Sequence, residues 1–240
     1  MNALLEIRGL RGGYEKEEYI LKGIDLTLLK GEVVGIIGLN GSGKSTLGKA
    51  LVNLIPYRRS QLLQYNGKII ERKSTSELAQ LGIVLMHQGG VVFPNLTVWE
   101  NLSVARGRKV DKAYYDQLAM AIPLLRQSKF NLMHTMSYTL SGGQRQELAL
   151  AMTLLQKPQL VILDEPSAGL SPIAIHDIYS MLANLRVSLG LTILLIEQNI
   201  NLAVNFCDRC LLIEHGFVRN EFKKKDINEI EAVMFGTNTQ

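Results

Sequence analysis

The chain has 240 residues, 47% of them hydrophobic, and a formal net charge of +4. That is an ordinary globular composition, long enough for one large domain or a core with an inserted subdomain. No apolar run approaches the ~18 residues of a transmembrane helix, and the start lacks a signal-like apolar core, so a cytoplasmic protein is expected. The charge is too mild and dispersed to point to nucleic acid. Its two basic clusters, Arg106 to Lys109 and Lys223 to Lys225, read as solvated faces.

In chain order, the first thirty residues have the period of strands with one buried face: Leu5 and Ile7, then Ile24, Leu26 and Leu28. A turn is expected at Gly12-Gly13-Tyr14. The apolar run Val33 to Ile37 leads into Gly38-Leu39-Asn40-Gly41-Ser42-Gly43-Lys44-Ser45-Thr46, and Leu47, Ala50, Leu51 and Leu54 follow at helical spacing. Asn66-Gly67 marks a hairpin, so an antiparallel β layer flanks the glycine-rich loop. Ile83 to Met86 is a strand candidate.

From about Gly89 to Lys157 the chain reads as a mostly helical insertion. Thr97 and Glu100 have the spacing of a capping box, and a further helix runs from Asp111 toward Pro123. Continuous apolar strands return at Leu160 to Leu163 and Leu191 to Ile196, separated by helical segments, as in a parallel sheet covered on both faces. A short helix, Ile200 to Phe206, precedes Cys207 and Cys210. With no second pair to complete a zinc site, these read as partly buried cysteines at a helix–strand junction. The apolar Ala232 to Phe235 is expected to dock on the core.

Three constellations carry chemistry. Gly38 to Thr46 matches G-x-x-x-x-G-K-[ST] between a strand and a helix, where backbone N–H groups and the helix start form a nest for phosphates. Lys44 reaches the outer phosphates, and the Ser45 hydroxyl suits Mg²⁺. Asp164 and Glu165 end a buried strand, a costly place for two carboxylates unless a cation or a reaction requires them. Asp164 suits Mg²⁺ and Glu165 suits polarising a water. Ser141-Gly142-Gly143-Gln144 opens a helix with a capping serine and two glycines, a second end at which an anion can approach.

In this order, the motifs resemble the nucleotide-binding subunits of ABC transporters over nearly the full chain. Asp164 to Pro172, Leu195 to Asn199 and Cys207-Asp208-Arg209 are similar to the ATPase subunits of branched-chain amino acid importers and their urea and amide relatives. The resemblance implies an α/β fold: a P-loop NTPase core with a mainly parallel sheet, a flanking antiparallel β layer and a helical subdomain. It implies one ATPase domain over 1–240, with its core at 1–88 and 156–240 and its helical subdomain at about 89–155.

The resemblance also implies roles. Tyr14 stacks on adenine; Gly38, Asn40, Gly41, Ser42, Gly43, Lys44, Ser45 and Thr46 cradle the phosphates of ATP; Ser45, Gln88 and Asp164 serve Mg²⁺. Gln88 senses the membrane partner, and Ser141, Gly142, Gly143 and Gln144 face a γ-phosphate bound to the opposite subunit of a head-to-tail dimer. Glu165 is the general base, and Gln198 stands beside the γ-phosphate where most members have histidine. Ser171 replaces an aspartate common at the dimer contact.

The implied function is hydrolysis of ATP, which drives a small solute, such as branched-chain amino acids or a related amide, through a separate membrane permease. The implied partners are that permease and a second ATPase subunit, identical or not, peripheral on the inner face of the membrane and without nucleic acid. Two rivals stay open: a soluble, non-transport ABC ATPase, and a regulatory ATP-binding partner with little turnover. Long insertions or a second nucleotide domain would favour the first, and neither is present. Glu165 and Lys44 together weigh against the second.

Overall fold

The computed structural model describes residues 3–105, 111–126, 130–223 and 230. In chain order it contains β1 (Ala3–Gly13), β2 (Leu21–Leu29), β3 (Val33–Ile37), α1 (Lys44–Leu51), β4 (Tyr57–Arg59), β5 (Leu62–Tyr65) and β6 (Lys68–Ile69). Then come α2 (Thr75–Gln80), β7 (Ile83–Met86), α3 (Val98–Ala105), α4 (Lys112–Ala121), α5 (Phe130–Met133) and α6 (Gly142–Leu154). The chain continues through β8 (Leu160–Asp164), α7 (Pro172–Leu189), β9 (Thr192–Ile196), α8 (Ile200–Phe206), β10 (Arg209–Glu214) and β11 (Phe217–Lys223). The chain divides into two compact units, Met1–Gln80 with Thr192–Gln240, and Leu81–Leu191. The basic cluster at 106–109, residues 224 and 225 of the second cluster, and the apolar segment 232–235 lie outside the described residues.

The first unit holds an antiparallel layer ordered β2-β1-β5-β6, with β4 also on β1. Ile24, Leu26 and Leu28 are buried while Asp25 between them is exposed, the alternation that their spacing predicts. The expected hairpin is present: Asn66 and Gly67 take φ of 48° and 72° between the paired Tyr65 and Lys68, the two positive values that a type I′ turn requires. The turn expected at Gly12-Gly13 starts at Tyr14 instead, because both glycines continue β1 and pair with Arg58 and Tyr57 of β4. Helix α1 stops at Leu51, so Leu54 falls beyond it and is exposed.

In the same unit, β3 is parallel to both β10 and β9, and β11 closes the edge antiparallel to β10. All five residues of β3 and of β9 are buried, which explains their unbroken apolar sequence. The start of β3 is anchored from β10: Asp208 Oδ2 accepts from Val33 N at 2.8 Å, and Arg209 Nε lies 2.7 Å from Glu32 Oε1. Cys207 and Cys210 are buried with both sulfurs toward Gly35 of β3.

In the second unit β7 and β8 pair in parallel, with Ile83 opposite Leu160 and Met86 opposite Leu163. The helices start where their caps predict. Thr97 and Glu100 form a reciprocal cap, with Glu100 N to Thr97 Oγ1 at 3.2 Å and Thr97 N to Glu100 Oε2 at 2.7 Å. Asp111 caps α4 through Tyr114 N at 2.8 Å and pairs with Lys157 at 2.6 Å. Asn101, fully buried, joins the loop before α3 to Ser137. Its Oδ1 accepts from Phe93 N at 2.8 Å, and its Nδ2 lies 2.9–3.3 Å from the carbonyls of Phe93, Leu96 and Thr97 and from Ser137 Oγ.

Candidate functional site

Strand β3 delivers the chain into the loop Gly38 to Gly43. Gly38 adopts φ of 150°, and a Cβ there would stand 2.3 Å from Ile213 O and 2.9 Å from Ser42 Oγ, so the loop cannot close around any other residue. Helix α1 starts at Gly43 without a side-chain cap. Its first N–H groups and the positive end of its dipole are therefore available to an anion.

Lys44 is buried at the head of α1, and its ammonium donates to Gly38 O at 2.8 Å and Leu39 O at 3.0 Å. The cation is thus held over the loop. Ser42 Oγ is buried and has no hydrogen-bond partner among the described residues. A buried hydroxyl without a partner is costly, and it is a donor that a phosphate oxygen could accept from. Leu39 to Ser42 and Leu212 to His215 line a cavity of about 140 Å³. Asn40, Gly41 and Tyr14 are exposed, Tyr14 at 44% on the turn after β1, a position open to a stacking base.

Gln198, exposed in the same unit, follows β9. The helix after it is capped by Asn199, whose Oδ1 accepts from Leu202 N at 3.2 Å. Gln198 is therefore free of a capping duty, and its amide is available to other partners.

In the second unit, β8 carries Asp164, only 3% exposed, and then Glu165 with φ of 46°. A left-handed glutamate is uncommon, and it lifts the carboxylate off the strand line. Gln88, just past β7, donates from Nε2 to Glu165 Oε2 at 2.7 Å. The parallel register of β7 and β8 brings this pair together although 77 residues separate them. Among the described residues, no cluster of three or more His, Cys, Asp or Glu side chains could hold a metal. The donors assigned to Mg²⁺, the Ser45 hydroxyl, the Gln88 amide oxygen and the Asp164 carboxylate, are all hard oxygens. They suit an ion that takes few protein ligands beside water and phosphate.

Helix α6 opens with a full capping box: Gln144 N to Ser141 Oγ at 3.3 Å, and Ser141 N to Gln144 Oε1 at 3.0 Å. Ser141 to Gln144 line a cavity of about 430 Å³ with Gly169, Leu170 and Ser171, the last being the cap of α7. One residue carries a duty that sequence reasoning did not assign. Gln146, buried in α6, donates to Pro166 O at 2.8 Å, and a Cβ on Gly90 would stand 2.5 Å from its Oε1. It ties the loop after Gln88 to the segment after Glu165. Its only sequence signal is an amide at a buried helix position.

The sequence profile of the ABC transporter family matches residues 21–168. A probable branched-chain amino acid transport ATP-binding protein, LivF, from Archaeoglobus fulgidus is 38% identical over 212 residues, 87% of each chain. A high-affinity branched-chain amino acid transport ATP-binding protein, BraG, from Pseudomonas aeruginosa is 36% identical over 200 residues, 82% of this chain and 83% of that one. Among solved structures, a dimeric ATP-binding cassette in a post-hydrolysis state, bound to ADP and Pi, superposes with a TM-score of 0.76 at 25% identity. That match covers 92% of this chain and 99% of the other. The cbiO1 protein from Clostridium perfringens, part of the transporter complex cbiONQ, gives 0.79 at 28% identity over 99% and 95%. The chain therefore belongs to the ABC transporter family, as one of its ATPase cassettes.

Proposed function

We propose that this cassette hydrolyses ATP to power import of a small amphipathic solute, branched-chain amino acids or a related amide, through a separate membrane permease. The likeness to LivF and BraG along more than four fifths of the chain carries that reading. ATP sits with its phosphates on Gly38 to Thr46 and its adenine on Tyr14. Ser45, Gln88 and Asp164 are the residues that would hold Mg²⁺, which would neutralise charge on the phosphates.

Glu165 accepts a proton from the attacking water. The water oxygen bonds to the γ-phosphorus in line with the β–γ bridging oxygen, which leaves with ADP. Gln198 donates a neutral hydrogen bond to a γ-phosphate oxygen. Ser141, Gly142, Gly143 and Gln144 face the nucleotide of a second subunit, and the open cavity beside them supports a head-to-tail dimer. The dimeric ADP- and Pi-bound relative supports a dimer.

Val91, Phe93, Trp99 and Tyr138 are between 49% and 67% exposed in the unit that carries Gln88. Large apolar side chains left in water mark an interaction surface, and the permease's cytoplasmic loops are the occupant that this reading assigns to it. No described helix is long and apolar enough to cross a membrane, and this reading assigns attachment to the inner face to the permease. The test is uptake by vesicles reconstituted with the permease. Leucine or a short amide accumulates with ATP inside and wild-type cassette, and not with Lys44→Ala. ATP-dependent uptake of neither solute overturns the assigned substrate class.

A further inference from the structure

Three segments of the first unit meet on one residue that no motif contains. Gly216 sits at the tip of the β10–β11 hairpin, where His215 and Gly216 take φ of 48° and 85° between the paired Glu214 and Phe217. Its N–H donates to Ser42 O at 3.1 Å, inside the phosphate loop. Its carbonyl accepts from Lys22 N at 2.8 Å, at the start of β2. A Cβ on Gly216 would stand 1.9 Å from Ile20 O and 3.0 Å from Ile20 C. Backbone cannot yield to such an approach without moving the segment.

Ile20 ends the turn that begins with Tyr14, and it also packs on the loop. A Cβ at Gly43 would lie 3.3 Å from Ile20 Cγ2 and from Leu21 Cδ2. The hairpin meets the loop a second time at Ile213, whose carbonyl fills the space beside Gly38. The tip therefore bonds by main chain to the loop on one side and to the strand after the Tyr14 turn on the other. Main-chain bonds and hard-sphere contacts set distance more firmly than side chains do.

We propose that Gly216 is a positioning residue for ATP: its hairpin tip fixes the spacing between the turn that presents Tyr14 and the loop that holds the phosphates. The proposal rests on the reading of Gly38 to Thr46 as the phosphate loop. Nucleotide binding requires both ends of the ligand to be met at once, so a site whose two contact groups are already correctly spaced loses less free energy on binding than one that must adjust.

The structure supplies a matched control. Gly67 occupies the equivalent tip of the β5–β6 hairpin with φ of 72°, and a Cβ there meets nothing within 4 Å. Gly67→Ala thus carries the same backbone strain without the clash. Calorimetric titration with MgATP is expected to show at least tenfold weaker binding in Gly216→Ala and less than a twofold change in Gly67→Ala. In steady state the KM of Gly216→Ala rises at least tenfold while kcat stays within threefold, because Glu165 is untouched. A folded Gly216→Ala that binds ATP within twofold of wild type overturns the proposal.

Should Gly216→Ala not fold, amide exchange of the wild type decides. The Gly216 N–H is expected to slow at least fivefold on saturation with MgATP, together with the loop amides, and an unchanged rate overturns the proposal. Wild-type protein that does not bind ATP, or binding unaffected by Lys44→Ala, overturns the phosphate-loop reading itself and this inference with it.

Discussion

Gln88 Nε2 donates to Glu165 Oε2 at 2.7 Å, so the second residue past β7 and the first past β8 share a proton-bearing contact. A bond to an ionised acceptor is about twice as strong as a neutral one. The carboxylate proposed as base therefore has an amide donor to orient it.

Replacing Glu165 by Gln keeps an oxygen that can accept from Gln88 and removes only the basic lone pairs. Turnover is expected to fall by at least about 100-fold, the low end for a general base, while ATP affinity and melting temperature stay near wild type. Phosphate release and a thermal melt check both. Wild-type turnover in Glu165→Gln removes it from the chemistry.

Gln198 is tested against its neighbour. Asn199 already caps α8, so Gln198→Ala is expected to leave the melting temperature unchanged and to lower turnover by about tenfold, or about 1.4 kcal/mol of barrier. Gln198→His retains a donor to phosphate and is expected to keep or raise the rate. Asn199→Ala shows the opposite pattern, a loss of about 1 kcal/mol of stability with turnover per folded molecule preserved. Equal behaviour of the two alanine variants sinks the distinction.

Asn101 offers a stability test remote from the chemistry. Asn101→Leu removes the acceptor of the Phe93 N–H and strands the buried hydroxyl of Ser137, at a cost of about 1–3 kcal/mol. The midpoint of urea unfolding should drop while its slope holds. A loss below about 0.5 kcal/mol would mean that the pocket relaxes to readmit water.

Acid should loosen the helix starts. The Lys73 ammonium, with Ser74, holds the Glu77 carboxyl down at about 2 from an ordinary 4.5, and the Thr97 N–H, with its hydroxyl, lowers that of Glu100. Both folded values are depressed, so this contribution is complete above the ordinary glutamate range. It fades as pH falls below about 4.5, and the Glu77 part is lost as pH passes its folded value of about 2. The melting-temperature gap between wild type and Glu77→Gln/Glu100→Gln should shrink over that window. Both side chains are exposed, so the gap is small and salt-sensitive. A gap that widens as the pH drops refutes this account.

Local chemistry made much of this legible in the sequence. The two capping boxes, Thr97 with Glu100 and Ser141 with Gln144, need residues three apart, and Asn66-Gly67 needs two. The strands around the phosphate loop announce themselves by unbroken apolar runs. What stayed hidden depends on partners far along the chain. Gly12 and Gly13 read as a turn, yet β4 recruits them into a strand. Strand β11 alternates weakly because it lies at an edge, mostly exposed. Asn101, Gln146 and Gly216 look like unremarked residues until the fold surrounds them. Their duties are set by loop carbonyls, a proline carbonyl and the main chain of Ile20.

The hydroxyl of Ser42, without a partner among the described residues, sets a trade between endurance and affinity. Ser42→Ala removes a stranded polar atom, so the empty cassette should melt higher, by an amount on the order of the 1–3 kcal/mol that such an atom costs. The same change withdraws a donor that the proposed phosphate site would use, so the gain in melting temperature on adding MgATP should be smaller than in the wild type.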